Sequence, residues 1–342
     1  MRYIFPFLLT LVVTVIVSLI VRQIALRIGA LDYPDEGRKR HRGPTPLLGG
    51  IAIFVSIATS LIVGKNIILS GNLEAHHWLG VLVGACILII GGIIDDIKKL
   101  SPAQQIVFPL IAAIAVVAGG VGVEKITNPF GGYIYFSAAL SAIFTIVWLL
   151  GMTYTTKLLD GLDGLVTSVA GIGSFIIFLF TMTTRWYQPD VGYAALMVFA
   201  ACLGFLALNW HPAKLFLGES GSLLLGFMLG VLSIISGGKI AIALLIMGIP
   251  ILDVVWTIVR RTFSGKNPFR FADRQHLHFR LLDSGIGPRL TVILFCSASL
   301  IFGLSALFLQ SRGKIISLII LACLMIAALV GFNLLDRQAK SR

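Results

Sequence analysis

Long apolar runs separated by short polar segments set what this chain can fold into. Its 342 residues are 57% hydrophobic and 12% charged, whereas a typical soluble domain carries about 25% charged residues. A helix needs about 20 apolar residues to cross a bilayer, and only helices satisfy all their own backbone hydrogen bonds inside lipid. The sequence therefore predicts an all-α polytopic membrane protein, a single domain over residues 1–342. The apolar runs predict a bundle of about eleven transmembrane helices, near residues 3–21, 46–63, 78–94, 102–121, 137–156, 162–183, 191–208, 220–236, 239–259, 289–310 and 314–335.

Lysine and arginine are distributed unevenly between the polar segments. One set of segments carries 20 of the 27 basic residues. This set comprises the loops 22–45, 95–101, 157–161, 209–219 and 260–289 together with the C-terminal tail. Because an excess of positive charge marks the cytoplasmic side, the N-terminus is predicted outside and the C-terminus in the cytoplasm. The net charge of +12 is thereby explained as an orientation signal, and no nucleic-acid partner is predicted.

Two further features are predicted, a first membrane span and a hairpin on the outer side. The first apolar run is predicted to be a retained span, because it is longer than the apolar core of about 7–15 residues found in a signal peptide. The segment GGYIYF, residues 131–136, predicts a small β-hairpin between two spans.

Five carboxylates lie at the predicted ends of three spans, all on the cytoplasmic side. Asp95 and Asp96 end the third span, Asp160 and Asp163 begin the sixth, and Glu219 begins the eighth. Each of them alone is explained as a helix cap. Together they indicate a hard cation, since Mg²⁺ prefers oxygen ligands and often bridges to substrate phosphates. The i,i+3 spacing in LLDGLDGL also predicts that its two carboxylates share a helical face. The sequence thus predicts a metal–phosphate site.

Histidines accompany the acids on the same side. Lys39 and His41 lie in GRKRHRGPTPLLGG, and His276 and His278 lie in ADRQHLHFRLLDSG. Topology and anionic lipid head groups explain the lysines and arginines of these loops. They do not explain the histidines, which therefore become candidates for binding an anionic ligand.

The lysine that begins KLLDGLDGL has two interpretations, which the sequence leaves open. Lys157 is either an anchor that pairs with the aspartate three residues later, or a contact to a substrate phosphate. The other three histidines, His76, His77 and His211, are given no role.

Five motifs occur in order between about Lys39 and Ser284. They are RHRGPTPLLGG, IIDDIKKL, LLDGLDGL, FLGESGSLLLG and PFRFADRQHLH. With this set the chain resembles the polyprenyl-phosphate N-acetylhexosamine-1-phosphate transferase family. That family includes an undecaprenyl-phosphate N-acetylglucosamine branch and a phospho-N-acetylmuramoyl-pentapeptide branch. The segment DRQHLH is more similar to the first branch.

The resemblance implies a reaction and its participants. A polyprenyl phosphate attacks the β-phosphorus of a UDP-N-acetylhexosamine, with N-acetylglucosamine as the favoured sugar. UMP leaves, and a lipid-diphospho-sugar forms for cell-envelope glycan synthesis. The resemblance also implies Mg²⁺ as cofactor, with Mn²⁺ as an alternative, and the bacterial cytoplasmic (inner) membrane as location. A homodimer is consistent with it.

The resemblance further assigns roles to residues. Asp163 and Glu219 would hold the metal, and Asp160 would belong to the same acidic shell. Asp95 or Asp96 would orient or deprotonate the lipid phosphate. The residues that it implies in substrate binding are Lys39, His41, Lys157, Arg274, His276 and His278.

Three departures from the family's pattern keep other functions open. Glu219 stands where the family usually has aspartate, Tyr154 and Lys157 stand where it has asparagines, and Phe279 stands where the first branch often has histidine. The alternatives are the same reaction with another UDP-sugar, or an inactive relative that binds nucleotide sugar or lipid. A cation or lipid transporter is less favoured, because it predicts acids near the bilayer midplane and internal repeats.

Overall fold

In a computed structural model of the protein, the described residues are 2–34, 43–128, 131–183, 186–237, 240–263, 265 and 275–340, with side chains described as far as Phe332. Most of these residues are helical. The helices are α1 (Ile4–Ile28), α2 (Gly49–Val63), α3 (Lys65–Ile68), α4 (Ala75–Lys98), α5 (Pro102–Gln105), α6 (Val107–Ala118), α7 (Ala138–Leu159), α8 (Leu165–Thr181), α9 (Pro189–Asn209), α10 (Gly218–Ile235), α11 (Ile240–Ile246), α12 (Gly248–Phe263), α13 (Leu277–Asp283), α14 (Pro288–Phe308) and α15 (Ser311–Lys340). The strands are β1 (Leu31–Asp32), β2 (Thr45–Pro46), β3 (Lys125–Thr127) and β4 (Tyr133–Tyr135).

The length and composition of the helices confirm a multi-pass membrane protein. Seven of the described helices are long and apolar enough to cross a bilayer, namely α1, α4, α7, α9, α10, α14 and α15. The pair α11 and α12 bends by 81° and counts as an eighth span if both are taken together. The helix α2, the stretch Pro102–Ala118 and the helix α8 are apolar but shorter. Each of the eleven apolar runs falls on one of these helices or stretches, whereas the number of crossings and the orientation remain predictions.

Helix α10 forms the centre of the bundle. Every residue of α10 except Glu219 is buried, and the helix packs against α2, α4, α7 and α8. Glycines allow this close packing. A Cβ at Gly226 would lie 2.5 Å from the carbonyl oxygen of Met152 on α7, and a Cβ at Gly92 of α4 would collide with Ser220. The C-terminal end of α4 is therefore held against the first turn of α10.

The segment DGLDG, residues 160–164, is a turn and not the first turn of a helix. Asp160 is the C-cap residue of α7, and α8 begins after Gly164, whose φ is 76°. Glycine adopts this left-handed conformation without the strain that a side chain would cause. The prediction that Asp160 and Asp163 share a helical face is therefore wrong, because the glycines of this segment favour a turn.

The predicted hairpin is confirmed, with its first strand before the segment 131–136, whereas its location on the outer side stays a prediction. Strands β3 and β4 pair antiparallel, with Ile126 opposite Ile134. The Lys125 ammonium lies 5.0 Å from the centre of the Tyr133 ring, an arrangement that allows a cation–π contact. At the other end of the bundle, β1 and β2 pair antiparallel and connect α1 to α2.

Candidate active site

A cavity of about 1590 Å³ opens beside the ends of α4 and α7 and the beginning of α10. All five carboxylates singled out in the sequence line it, together with Lys157. They are Asp95, Asp96, Asp160, Asp163 and Glu219. The fold therefore gathers acids from three separate motifs into one space.

The same cavity has an apolar part between α7 and α12. Its lining there includes Phe144, Val147, Trp148, Val254, Val255 and Ile258. Val147 and Val255 are exposed on the surface of the bundle. The polar part of the cavity is therefore continuous with an apolar groove that opens on the surface of the bundle.

The Lys157 ammonium lies inside the acidic cluster. Its Nζ is 3.1 Å from Glu219 Oε2 and 3.9 Å from Asp95 Oδ2, and it donates a hydrogen bond of 2.8 Å to Gln105 Oε1. Gln105 Nε2 in turn donates to Asp95 Oδ1 at 3.2 Å. From the last turn of α7, Lys157 thus joins α4, α5 and α10. Lys157 and Glu219, two of the departures from the family's pattern, contact each other directly.

Asp96 caps the first turn of α10. Its Oδ1 accepts a hydrogen bond of 2.8 Å from the Glu219 backbone N–H, and its Oδ2 accepts one of 3.1 Å from the Ser220 hydroxyl. A carboxylate at this place stabilises the positive end of the helix dipole. Gly218 has a φ of 73°, and a Cβ there would lie 2.6 Å from Asp96 Oδ2. The glycine therefore permits the cap, which fixes the backbone of Glu219.

Asp163 is held by a histidine and a backbone amide. His211 Nδ1 lies 2.7 Å from Asp163 Oδ2, and the Ala213 backbone N–H donates to the same oxygen at 3.1 Å. Because an ionised carboxylate only accepts hydrogen bonds, the imidazole donates through Nδ1. His211 is therefore part of the site, although no role was predicted for it from the sequence.

Asn209 fastens the turn that carries Asp163. Its Oδ1 accepts hydrogen bonds from the Gly164 backbone N–H at 3.1 Å and from the Thr167 hydroxyl at 2.9 Å. Its Nδ2 donates to the Leu215 carbonyl oxygen at 3.0 Å. One buried amide therefore ties the turn 160–164 to the segment that leads into α10.

The histidine segment lies beside this turn. His276 Nδ1 lies 2.7 Å from Asp253 Oδ2 on α12, and the Leu277 backbone N–H donates to Asp253 Oδ1 at 3.0 Å. The rings of His276 and His278 are nearly parallel, with centroids 5.7 Å apart. His276 is 4% exposed and His278 is 0% exposed. A Cβ at Gly161 would lie 2.6 Å from His278 Nε2, so the imidazole packs directly on the turn.

The predicted substrate-binding residues thus fall into three groups. Lys157 lines the cavity. His276 and His278 are buried behind the turn, and in the described structure it is the neighbouring Phe279 that reaches the cavity wall. Lys39, His41 and Arg274 lie outside the described residues. Substrate contacts by these residues stay predictions.

Several residues of the site were not identified from the sequence. Gln105, Asn209 and His211 sit in segments without a recognisable pattern, and only the fold brings them to the acids. Asp253 is different, because it is a single acid inside an apolar run. An ionisable residue in such a run is costly and usually has a partner or a function. The position of Asp253 in the sequence could therefore have identified it as a candidate.

The acidic cluster supplies the type of ligand that a magnesium site needs. Among the described residues, no three side chains of histidine, cysteine, aspartate or glutamate come close enough together to form a complete metal site. Mg²⁺, however, is commonly held by one or two carboxylates, with water and substrate phosphates completing its shell. The carboxylates of Asp163 and Glu219 line the same cavity and are oxygen ligands of the kind that Mg²⁺ takes, so these two residues are the candidates to hold it.

Comparison with known proteins places the chain in a family. Residues 78–237 match the family model described as glycosyl transferase family 4, a stretch that contains all five acids and Lys157. A probable undecaprenyl-phosphate N-acetylglucosaminyl 1-phosphate transferase of Bacillus subtilis (strain 168) is 33% identical over 331 residues, which cover 95% of this chain and 90% of that protein.

Two further relatives represent both branches of the family. A decaprenyl-phosphate N-acetylglucosaminephosphotransferase of Mycolicibacterium smegmatis is 31% identical, over 80% of this chain and 74% of that protein. A phospho-N-acetylmuramoyl-pentapeptide-transferase of Halalkalibacterium halodurans is 29% identical, over 89% of this chain and 97% of that protein. The chain is a multi-pass membrane protein of glycosyl transferase family 4. Within that class, the chain belongs to the polyprenyl-phosphate N-acetylhexosamine-1-phosphate transferases, as its motifs predicted.

Proposed function

We propose that the chain transfers N-acetylglucosamine 1-phosphate from UDP-N-acetylglucosamine to a polyprenyl phosphate. The products are UMP and a lipid-diphospho-sugar, which serves cell-envelope glycan synthesis. The observation that carries the proposal is the single cavity in which five carboxylates and Lys157 adjoin an apolar groove. The names of two relatives, which describe phosphotransferases acting on undecaprenyl or decaprenyl phosphate, support it.

The two parts of the cavity suit the two substrates. The apolar walls of α7 and α12 suit the polyprenyl chain, which would lie with its phosphate toward the acids. The polar part would receive the diphosphate of the nucleotide sugar. Because both reactants are anionic, bringing them together depends chiefly on positioning and on neutralising their charge.

We assign Mg²⁺, with Mn²⁺ as an alternative, to Asp163 and Glu219. A divalent cation at this site would neutralise the diphosphate and stabilise the leaving UMP. Asp163 is suited to this role because His211 and the Ala213 amide fix its carboxylate. Asp160 adds negative charge to the same cavity wall.

Lys157 provides a cation that belongs to the chain itself. Its ammonium lies on the cavity wall between Asp95 and Glu219, where it would donate to a substrate phosphate. A phosphate monoester has a second pKa of about 6, so the lipid phosphate is already largely ionised at neutral pH. A dedicated base is therefore not required. Asp95 would orient Lys157, and Asp96 would fix the first turn of α10.

The membrane location and the orientation are proposed from the apolar helices and from the distribution of basic residues. We place the protein in the bacterial cytoplasmic membrane, with the acidic cavity on the cytoplasmic face, because most of the basic residues lie on that side. A transporter is disfavoured, since the acids of the cavity lie at helix ends.

The direct test uses the purified protein with Mg²⁺, undecaprenyl phosphate and a panel of UDP-sugars. UMP release is expected with UDP-N-acetylglucosamine, and the panel reports whether another UDP-sugar is preferred. The departures from the family's pattern at Lys157 and Glu219 leave one competing function. The protein would then bind nucleotide sugar or lipid without catalysing the transfer. Binding of UDP-sugar without UMP release from any member of the panel would favour that alternative.

A further inference from the structure

The histidine segment is fixed to α12 by a buried carboxylate. Asp253 is 3% exposed, and both of its oxygens accept hydrogen bonds from the segment, one from His276 Nδ1 and one from the Leu277 backbone N–H. His276 is the N-cap residue of α13. Asp253 therefore determines where α13 begins and in which direction its first residues point.

The first turn of α13 then supports the turn 160–164 from behind. His278 is fully buried, and its Nε2 lies where a Cβ on Gly161 would be only 2.6 Å away. A Cβ on Gly161 would also lie 2.8 Å from the Phe279 ring. At such distances a neighbour must move, so the fit between α13 and the turn is tight. The turn carries two of the cavity's carboxylates, Asp160 and Asp163.

We infer that Asp253, His276 and His278 are positioning residues, which set the turn 160–164 from its buried side and so place its two carboxylates for phosphoryl transfer. This inference rests on the proposed function. It assigns a purpose to Asp253 and gives the two histidines a role other than direct substrate contact. An error of about 1 Å in the position of reacting groups can lower a rate by up to about 100-fold, so the support is expected to affect turnover.

The first test examines the contact between Gly161 and His278 with a double-mutant cycle. Gly161→Ala, His278→Ala and the double variant are compared with the wild type in melting temperature and in kcat for UMP release. We expect each single variant to lower kcat by about tenfold. The double variant is expected to lose less kcat than the product of the two single effects, because removing the imidazole relieves one of the two close contacts of the new methyl group.

Gly173→Ala is the matched control. A Cβ at Gly173 of α8 would meet Ile246 and Leu229 at 3.0 Å, inside the apolar core and away from the cavity. This variant is expected to alter melting temperature with little effect on kcat. If the two residues act independently, their losses in melting temperature add and their losses in kcat multiply in the double variant. That result would refute the contact between Gly161 and His278.

The second test separates positioning from substrate contact. The dissociation constant for UDP-N-acetylglucosamine is measured by calorimetry for His278→Ala. Positioning predicts a dissociation constant within about twofold of the wild type while kcat falls, since ground-state binding is retained. A rise of about tenfold or more in the dissociation constant at unchanged kcat would show that His278 is a substrate contact and overturn the inference.

The third test uses the chemistry of Asp253. Asp253→Asn keeps one acceptor for the Leu277 N–H and offers a donor to the other His276 tautomer, so kcat is expected to stay within about threefold of the wild type. Asp253→Leu removes both hydrogen bonds. It is expected to lower kcat by about as much as His278→Ala does. Equal kcat values for the two Asp253 variants would contradict a role through these hydrogen bonds. A wild type without UMP release would refute the proposed function, and the stability cycle would then still decide whether the contact exists.

Discussion

At the scale of single residues, Asp163 is the group on which the proposed chemistry depends most directly. Its Oδ2 is held by His211 and by the Ala213 backbone N–H, so the carboxylate faces the cavity in a fixed orientation. The sequence identified Asp163 from the LLDGLDGL motif, whereas His211 reaches it only through the fold. A pattern along the chain can report the type of ligand, but it cannot report a partner 48 residues away.

Asp163→Asn is expected to lower the rate of UMP release by at least about 100-fold, because the amide lacks the charge that holds a hard cation. The melting temperature is expected to change little. Asp283→Asn, which alters an exposed acid at the end of α13, serves as the control. Near-normal turnover of Asp163→Asn would remove this residue from the proposed metal site.

Lys157→Asn tests whether the ammonium binds substrate or only anchors α7. We expect the KM for the nucleotide sugar to rise by about tenfold, since a hydrogen bond to a charged group contributes about 1.5–3 kcal/mol. Lys157→Arg keeps the positive charge and is the control. Unchanged kinetics in Lys157→Asn would favour the anchor. The anchor was predicted to pair with Asp160, whereas the ion pairs found for Lys157 are with Asp95 and Glu219.

The role of Glu219 is tested by shortening its side chain and by removing its carboxylate. Glu219→Asp keeps an oxygen ligand on a shorter arm and is expected to retain more activity than Glu219→Ala, which keeps none. UMP release at several Mg²⁺ concentrations measures both. If the two variants turn over at the same rate, the carboxylate at this position does not hold the metal.

At the scale of elements, the arrangement of α4 and α10 depends on the cap that Asp96 provides. Asp96→Ala is expected to lower the free energy of unfolding by about 1–2 kcal/mol, because the first turn of α10 loses hydrogen bonds to a carboxylate at its positive end. Thermal unfolding in detergent measures this loss, and Asp283→Asn at the exposed end of α13 is the control. An Asp96→Ala variant as stable as the wild type would contradict the cap.

The elements were predicted better than the turns between them. Apolar runs of sufficient length predicted the long helices, and the glycines and aromatics of 131–136 predicted the outer hairpin. The spacing of Asp160 and Asp163 predicted a shared helical face, but the glycines of the segment 160–164 end α7 and turn the chain instead. Periodicity describes the faces of a helix that already exists. It does not decide where the helix stops.

At the scale of the whole molecule, the groove results from a bend that no sequence pattern predicted. The run 239–259 was predicted as one span, yet it forms α11 and α12, which meet at 81°. Because α12 turns away from α11, its apolar side faces α7 across the cavity. The gathering of acids was predictable from charge at span ends, whereas the space that they line was not.

The predicted orientation is tested by cysteine labelling. In a variant without the native cysteines, Lys214→Cys introduces a thiol at an exposed position near the acidic cavity, and Tyr135→Cys introduces one on the exposed outer hairpin. A membrane-impermeant reagent is expected to label Tyr135→Cys in intact cells and Lys214→Cys only after the membrane is opened or inverted. The opposite pattern would reverse the predicted topology.

The central claim is that the acidic cavity transfers the sugar together with its phosphate. The most direct measurement follows UDP-N-acetylglucosamine radiolabelled at the β-phosphorus, incubated with the purified protein, Mg²⁺ and undecaprenyl phosphate. Attack at the β-phosphorus predicts that the label moves to the lipid, that the released nucleotide is UMP, and that Asp163→Asn abolishes both. Label that stays on the nucleotide, as released UDP or as unreacted substrate, would contradict the proposed function.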